Sequence, residues 1–128
     1  MKILIVEDVA FRQEFIKGKI TSGEVDCTKY AEEGLDLLEK NSYDLVFLDH
    51  DLIGAKSGSY LARNWYERKE NFLTQKPIVI IHSMNMPGAA KMENYLKGIS
   101  KKTAIIPFKF ILTEEVNLME RIEALKKE

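Results

Sequence analysis

The chain has 128 residues, 45% of them hydrophobic and 30% charged, with a formal net charge of -1. That balance suits one globular domain around one core, and it excludes a chain drawn to nucleic acid or anionic lipid by its overall charge. No apolar run approaches the length of a membrane span, and the single cysteine, Cys27, rules out an internal disulfide or a cysteine-built zinc site.

The N-terminus enters a strand at once, without the pattern of a signal peptide, so a cytoplasmic protein is expected. Lys2 to Val6 is a short β-branched run ending in Glu7 and Asp8, the pattern of a buried strand. Ala10 to Ile20 places Phe11, Phe15, Ile16 and Ile20 at helical spacing, and Thr21, Ser22 and Gly23 should stop that helix. Glu24 to Tyr30 alternates as a second strand, with Cys27 expected as a buried, inert thiol. Ala31 to Asn41 carries Leu35, Leu37 and Leu38 on a helix, and Glu32 and Glu33 suit its positive N-terminal end. Tyr43 to Asp49 is the third strand.

A glycine-containing loop, 51 to 58, leads to a helix over Ser59 to Phe72, with Leu61, Trp65 and Tyr66 as packing residues. Pro77 to His82 is the fourth strand. Pro87 suits the first turn of a helix running to Lys97, with Met84, Met86 and Met92 as packing residues. Thr103 to Phe108 is the fifth strand. Thr113 to Lys127 is the last helix, capped by Thr113 with Glu114 and Glu115 in its first turn. Strands alternating with helices, joined by right-handed crossovers, make a doubly wound parallel α/β sheet in a single domain over 1–128.

In such a sheet, ligands bind beyond the carboxyl ends of the strands. Three strand ends therefore deliver Glu7, Asp8, Asp49, His50, Asp51, His82 and Ser83 to one region. With strand order 2-1-3-4-5, strands one and three flank the switch point, so Glu7, Asp8 and Asp49 come together. Clustered carboxylates repel, and a hard cation relieves them; oxygen donors with water suit Mg²⁺. The simple alternative is that Glu7 and Asp8 only cap the first helix. The segment from Asn85 to Ala90 opens a helix whose N–H groups can receive an anion, with Gly88 and Ala89 leaving room. Gly54 and Gly58 lack phosphate-loop spacing. Arg63, Arg68, Lys69, Lys101, Lys102, Lys126 and Lys127 read as solvated helix faces, and no nucleic-acid or membrane partner is expected.

The runs Ile3-Leu-Ile-Val-Glu7-Asp8, Asp44-Leu-Val-Phe-Leu-Asp49 and Pro77-Ile-Val-Ile-Ile81 resemble the receiver domain of bacterial response regulators over essentially the whole chain. The resemblance implies a flavodoxin-like fold. It also implies Asp49 as acceptor of a phosphoryl group in two-component phosphorelay signalling. Glu7, Asp8, Asp49 and the carbonyl of Asp51 would then be the Mg²⁺ ligands. A stand-alone receiver of this kind would take its phosphoryl group from a histidine kinase or phosphotransfer protein and act through a downstream protein effector. The faces of its fourth and fifth helices could form a homodimer.

Two departures accompany the resemblance. His82 stands where receivers place Thr or Ser, with Ser83 following. The usual Lys-Pro pair falls in Ile105-Ile-Pro107-Phe-Lys109-Phe110, where either Ile106 or Lys109 takes the lysine place. The segments around Asp49-His50-Asp51 and His82-Ser83-Met84-Asn85 are also similar to a divergent receiver branch proposed to process cyclic phosphates. In that branch His50 and His82 would work as acid and base in a metal-assisted phosphoesterase. A third alternative is a pseudo-receiver that binds partners without phosphorylation.

Overall fold

The computed structural model describes residues 1–20 and 23–128. Among these, five strands alternate with six helices: β1 (Lys2–Val6), α1 (Ala10–Lys19), β2 (Glu24–Thr28), α2 (Ala31–Lys40), β3 (Leu45–Leu48), α3 (Gly58–Glu67), β4 (Ile78–Ile81), α4 (Met86–Leu96), β5 (Lys102–Ile105), α5 (Phe108–Leu112) and α6 (Leu118–Lys127). A 3-10 turn at Lys69–Asn71 follows α3. All strand pairs are parallel, in the order β2-β1-β3-β4-β5, as the sequence pattern implies. The expected helix stop at Thr21 and Ser22 lies outside the described residues; Gly23 beyond it has φ 113°, which suits glycine.

Side chains alternate across the sheet, so each strand feeds two cores. Leu4, Val6, Val46, Leu48, Val79 and Ile81 face α2, α3 and α4, where Leu38, Leu61, Trp65 and Met92 are buried. Ile3, Ile5, Leu45, Phe47, Ile78 and Ile80 face the other way, against Ile16 of α1, Ile111 of α5, and Ile122 and Leu125 of α6. The central strands are apolar on both faces because helices cover both. Cys27 is half-buried at the edge strand, and burial pushes its thiol up.

Several element boundaries differ from those expected: α3 ends at Glu67 rather than Phe72, with the separate 3-10 turn after it, and others lie from Ile105 onward. β5 stops at Ile105, and Pro107 begins a short helix, α5, whose Phe108 and Ile111 turn into the core. Thr113 is therefore the C-cap of α5 rather than the N-cap of the last helix, and its hydroxyl donates back to the Lys109 carbonyl. Glu114 follows at φ 59°, and the final helix starts only at Leu118, where the Asn117 side chain caps it. Met84 and Met86, expected to pack, are exposed on the loop before α4 and its first residue, while Met92 is buried. Tyr66 is likewise at the surface. Among the described residues, no helix is long and apolar enough to cross a membrane.

Phe47 lies at the centre of the sheet, fully buried on the α1/α6 side, with its ring 6.2 Å from that of His82. Phe47→Ala should cost about 3–5 kcal/mol through lost burial and the cavity left behind. Urea unfolding followed by circular dichroism measures this directly.

Candidate functional site

The parallel register sets Val6, Leu48, Ile81 and Ile105 side by side. Backbone hydrogen bonds carry that ladder one residue further: Glu7 N–H to Thr28 carbonyl, Asp49 N–H to Val6, His82 N–H to Leu48 and Ile106 N–H to Ile81. Glu7, Asp49, His82 and Ile106 thus form one row across the sheet edge. By the two-residue period they continue the faces of Ile5, Phe47, Ile80 and Ala104, on the side covered by α1 and α5. Donor atoms of Glu7, Asp49 and His82 all lie within 4.8 Å of one another.

All three polar members of the row are buried. His82 Nε2 lies 3.0 Å from Glu7 Oε1, and the Val9 N–H donates to Glu7 Oε2 at 3.0 Å. Burial pushes the Glu7 carboxyl up. The hydrogen bond and electrostatic attraction of His82, with the Val9 N–H, outweigh that and hold it below its ordinary value. Asp49 goes the other way. Burial raises it, Glu7 adds repulsion, and His82, the His50 N–H and the Ser83 hydroxyl only partly oppose the rise. The His50 N–H donates to Asp49 Oδ1 at 2.8 Å. Asp8 is half-buried and also raised, first by desolvation and then by Glu7 and Asp49. Its carboxyl thus belongs electrostatically to the same group.

The other expected residues divide. His50 sits at the rim: its Nδ1 lies 3.0 Å from Asp51 Oδ1 and 3.3 Å from Asn85 Nδ2. Its ring packs on Gly88, where an added Cβ would come within 2.5 Å of the ring. Gly58 makes a similar close approach, since a Cβ there would meet the Asp49 carbonyl at 2.1 Å. These two glycines let α3 and α4 begin hard against the Asp49–His50 segment. The Asp51 carboxylate is exposed and directed to His50. Ser83 is buried, and its hydroxyl accepts from the Asn85 N–H at 3.0 Å. Asn85 Oδ1 in turn caps the Gly88 N–H at 2.9 Å, so one N–H of the α4 start is already engaged.

Ile106, not Lys109, stands beside His82 in the row. Lys109 is exposed on α5 with its Nζ 5.1 Å from the centre of the Phe110 ring, and the fold does not bring it to the carboxylates. Among the described residues, Arg12 does reach Glu7. The Arg12 guanidinium on α1 is 3.9 Å from Glu7 Oε1 and lies over the Phe108 ring at 5.2 Å. The sequence contained a signal for Arg12, a cation in the first turn of the helix that follows the acidic pair, but nothing in its spacing fixed where the side chain would reach.

The group fits a divalent cation. Three donors converge, the Asp8 and Asp49 carboxyls are pushed up by burial and by the charge of Glu7, and His82 Nδ1 is a buried polar atom with no partner among the described residues. In the absence of metal, Asp49→Asn should raise the melting temperature at neutral pH by a few degrees, because it removes a buried charge and keeps Oδ1 as acceptor. Wild type should gain stability as pH falls from neutrality through the raised Asp8 and Asp49 values toward the ordinary aspartate value of 3.8. The sign follows from folded carboxyls that bind protons more readily than unfolded ones. The variant should gain less, a difference that melting curves over pH would resolve.

No curated protein matches the chain. Among solved structures, the response regulator domain of Thermotoga maritima CheB is 19% identical, covering 100% of this chain and 97% of that one, with a TM-score of 0.70. The response regulator TrrA of Thermotoga maritima, solved with Mg²⁺ and BeF, is 22% identical, covers 97% of each chain and has a TM-score of 0.66. A CheY-like receiver domain from Methanospirillum hungatei JF-1 is 18% identical over 98% of this chain and 96% of that one, with a TM-score of 0.64. These similarities establish the receiver fold. A family model, the cyclic-phosphate processing receiver domain, matches residues 3–98. With the sheet order and the acidic row in place, the chain belongs to the cyclic-phosphate processing receiver family, a divergent branch of the response-regulator receiver fold.

Proposed function

We propose that the protein carries out metal-assisted phosphoryl chemistry at the β1–β3–β4 edge, with Asp49 as the acceptor carboxylate. The observation that supports this reading is the row itself, in which Asp49 lies beside Glu7 at the switch point of the sheet. Glu7, Asp8 and Asp49 would hold Mg²⁺, helped by the Asp51 carbonyl, and the ion would offset charge on phosphoryl oxygens. An Asp49 carboxylate oxygen attacks phosphorus and forms an O–P bond while the bond from phosphorus to the donor breaks and the donor departs with its electron pair. The His50 N–H holds Asp49 in place, and the Ser83 hydroxyl beside it is a donor toward a phosphoryl oxygen. A histidine kinase or phosphotransfer protein would be the donor, and a protein effector would read the product.

A second reading rests on one specific observation. His82, paired with Glu7, and Ile106 stand in the row where, by the resemblance, receivers carry Thr or Ser and Lys. The family's own description, cyclic-phosphate processing, points the same way. In this reading His50, whose Nδ1 is oriented by Asp51, takes a proton at Nε2 from the attacking hydroxyl or water. His82, with Glu7 as its carboxylate partner, supplies the proton for the leaving oxygen.

One experiment separates the two. Wild type and Asp49→Asn are incubated with Mg²⁺ and acetyl phosphate and weighed by intact-protein mass spectrometry; in parallel they receive 2′,3′-cyclic nucleotides. A phosphoryl adduct on wild type alone is the expected result. No adduct, with cyclic-phosphate hydrolysis that His50→Ala abolishes, would replace the acceptor reading with the phosphoesterase one.

A further inference from the structure

We propose that Arg12 is the cation that receives the phosphoryl oxygens in this site, doing from α1 what no residue of β5 can do. The inference rests on the reading of Asp49 as the phosphoryl acceptor. The β5 end of the row is closed by Ile106, which is buried and uncharged, and Lys109 is turned outward. Three carboxyls therefore meet with no lysine beside them.

Arg12 lies where that charge is missing. It sits in the first turn of α1, on the same face of the sheet as Glu7, Asp49 and His82. Its guanidinium is pinned over the Phe108 ring, and Phe108 is tied to the row because its N–H donates to the His82 carbonyl at 2.9 Å. The Phe108 ring is itself braced edge-on by Phe15 at 5.8 Å. The Arg12 guanidinium thus touches both Glu7 and the Phe108 ring.

Its donors remain available. The contact with Glu7 Oε1, at 3.9 Å, is too long for a hydrogen bond, and no other carboxylate pairs with Arg12 among the described residues. Glu7 is better served by His82 and Val9. A guanidinium has five N–H donors in a fork matched to phosphate oxygens. The Arg12 side chain is 34% exposed, so a ligand arriving from solvent can reach it. A stacked, preoriented arginine with spare donors, 3.9 Å from the buried Glu7 carboxylate, is arranged to bind an anion that arrives with the metal.

The test uses beryllofluoride as the phosphoryl mimic. Mg²⁺ binding, and beryllofluoride binding in saturating Mg²⁺, are measured separately by calorimetry on wild type, Arg12→Ala, Arg12→Gln and Arg12→Lys. The expected result is beryllofluoride affinity reduced ~10–100-fold in Arg12→Ala and Arg12→Gln, the scale of losing a charge-assisted bidentate contact. Arg12→Lys should recover part of it, and Mg²⁺ affinity should be unchanged or tighter in all three. If wild type binds beryllofluoride and the variants bind it equally well, Arg12 is only a structural clamp on Phe108 and this proposal is wrong while the acceptor reading stands. If wild type binds Mg²⁺ but no beryllofluoride, the acceptor reading fails and Arg12 loses its ligand with it. Arg12→Gln keeps much of the stem over Phe108, so the comparison survives if Arg12→Ala folds poorly.

Discussion

The buried contact between His82 and Glu7 is what allows the rest of the site to exist. A carboxylate with no solvent exposure is strongly disfavoured unless it is paired and hydrogen-bonded. Glu7 is fully buried, and His82, equally buried, is the partner that keeps it ionised. Their side chains meet because β1 and β4 flank β3 in register and both chains run one residue beyond their strands on the same face. With Glu7 held as an anion, Asp49 between the two strands feels a fixed negative neighbour, and its own carboxyl is pushed up. The cluster is therefore asymmetric: one acid committed to histidine, and two raised acids ready to be relieved by a cation.

That asymmetry separates this site from a plain trio of surface acids. A hydroxyl at the position of His82 could donate one hydrogen bond but could not compensate Glu7 from the far side of β3. Exchanging it for imidazole ties the end of β4 directly to the end of β1. The cost is visible in the orphaned Nδ1 of His82. The rim is built around the same strand ends. Gly58 and Gly88 admit two helix starts against Asp49 and His50, and Asn85 links His50 to the first turn of α4. The α3 start thus abuts the Asp49–His50 backbone, and the α4 start abuts the His50 ring.

Much of this was legible in the residues. Short apolar runs ending in acids or histidine identify buried parallel strands, and the rule that ligands gather beyond their carboxyl ends brings Glu7, Asp8, Asp49, His50, His82 and Ser83 into one region. What the residues alone did not show is which of them share a face. A shift of one residue at a strand end moves a side chain to the other side of the sheet, and strand ends are where sequence patterns are least sharp. The ladder decides it: Glu7, Asp49 and His82 form the row, while Asp8, His50 and Ser83 open the loops. The reach of Arg12 is not legible in the residues because it depends on how α1 docks over Phe108, a tertiary contact. The last helix is shorter than its pattern implies for a local reason: Thr113 and two glutamates form a start signal that the burial of Phe108 and Ile111 in a short helix overrides.

The central claim is that the row at the β1–β3–β4 edge is one cation-binding centre. Substoichiometric Mn²⁺ added to ¹⁵N-labelled protein tests it most directly, because paramagnetic broadening falls steeply with distance from the ion. The amide signals of Glu7, Asp8, Asp49, His50, His82 and Ser83 should disappear first, and excess Mg²⁺ should restore them. Broadening centred elsewhere, for instance on the exposed Glu120 and Glu123 of α6, or none at these strand ends, would contradict it.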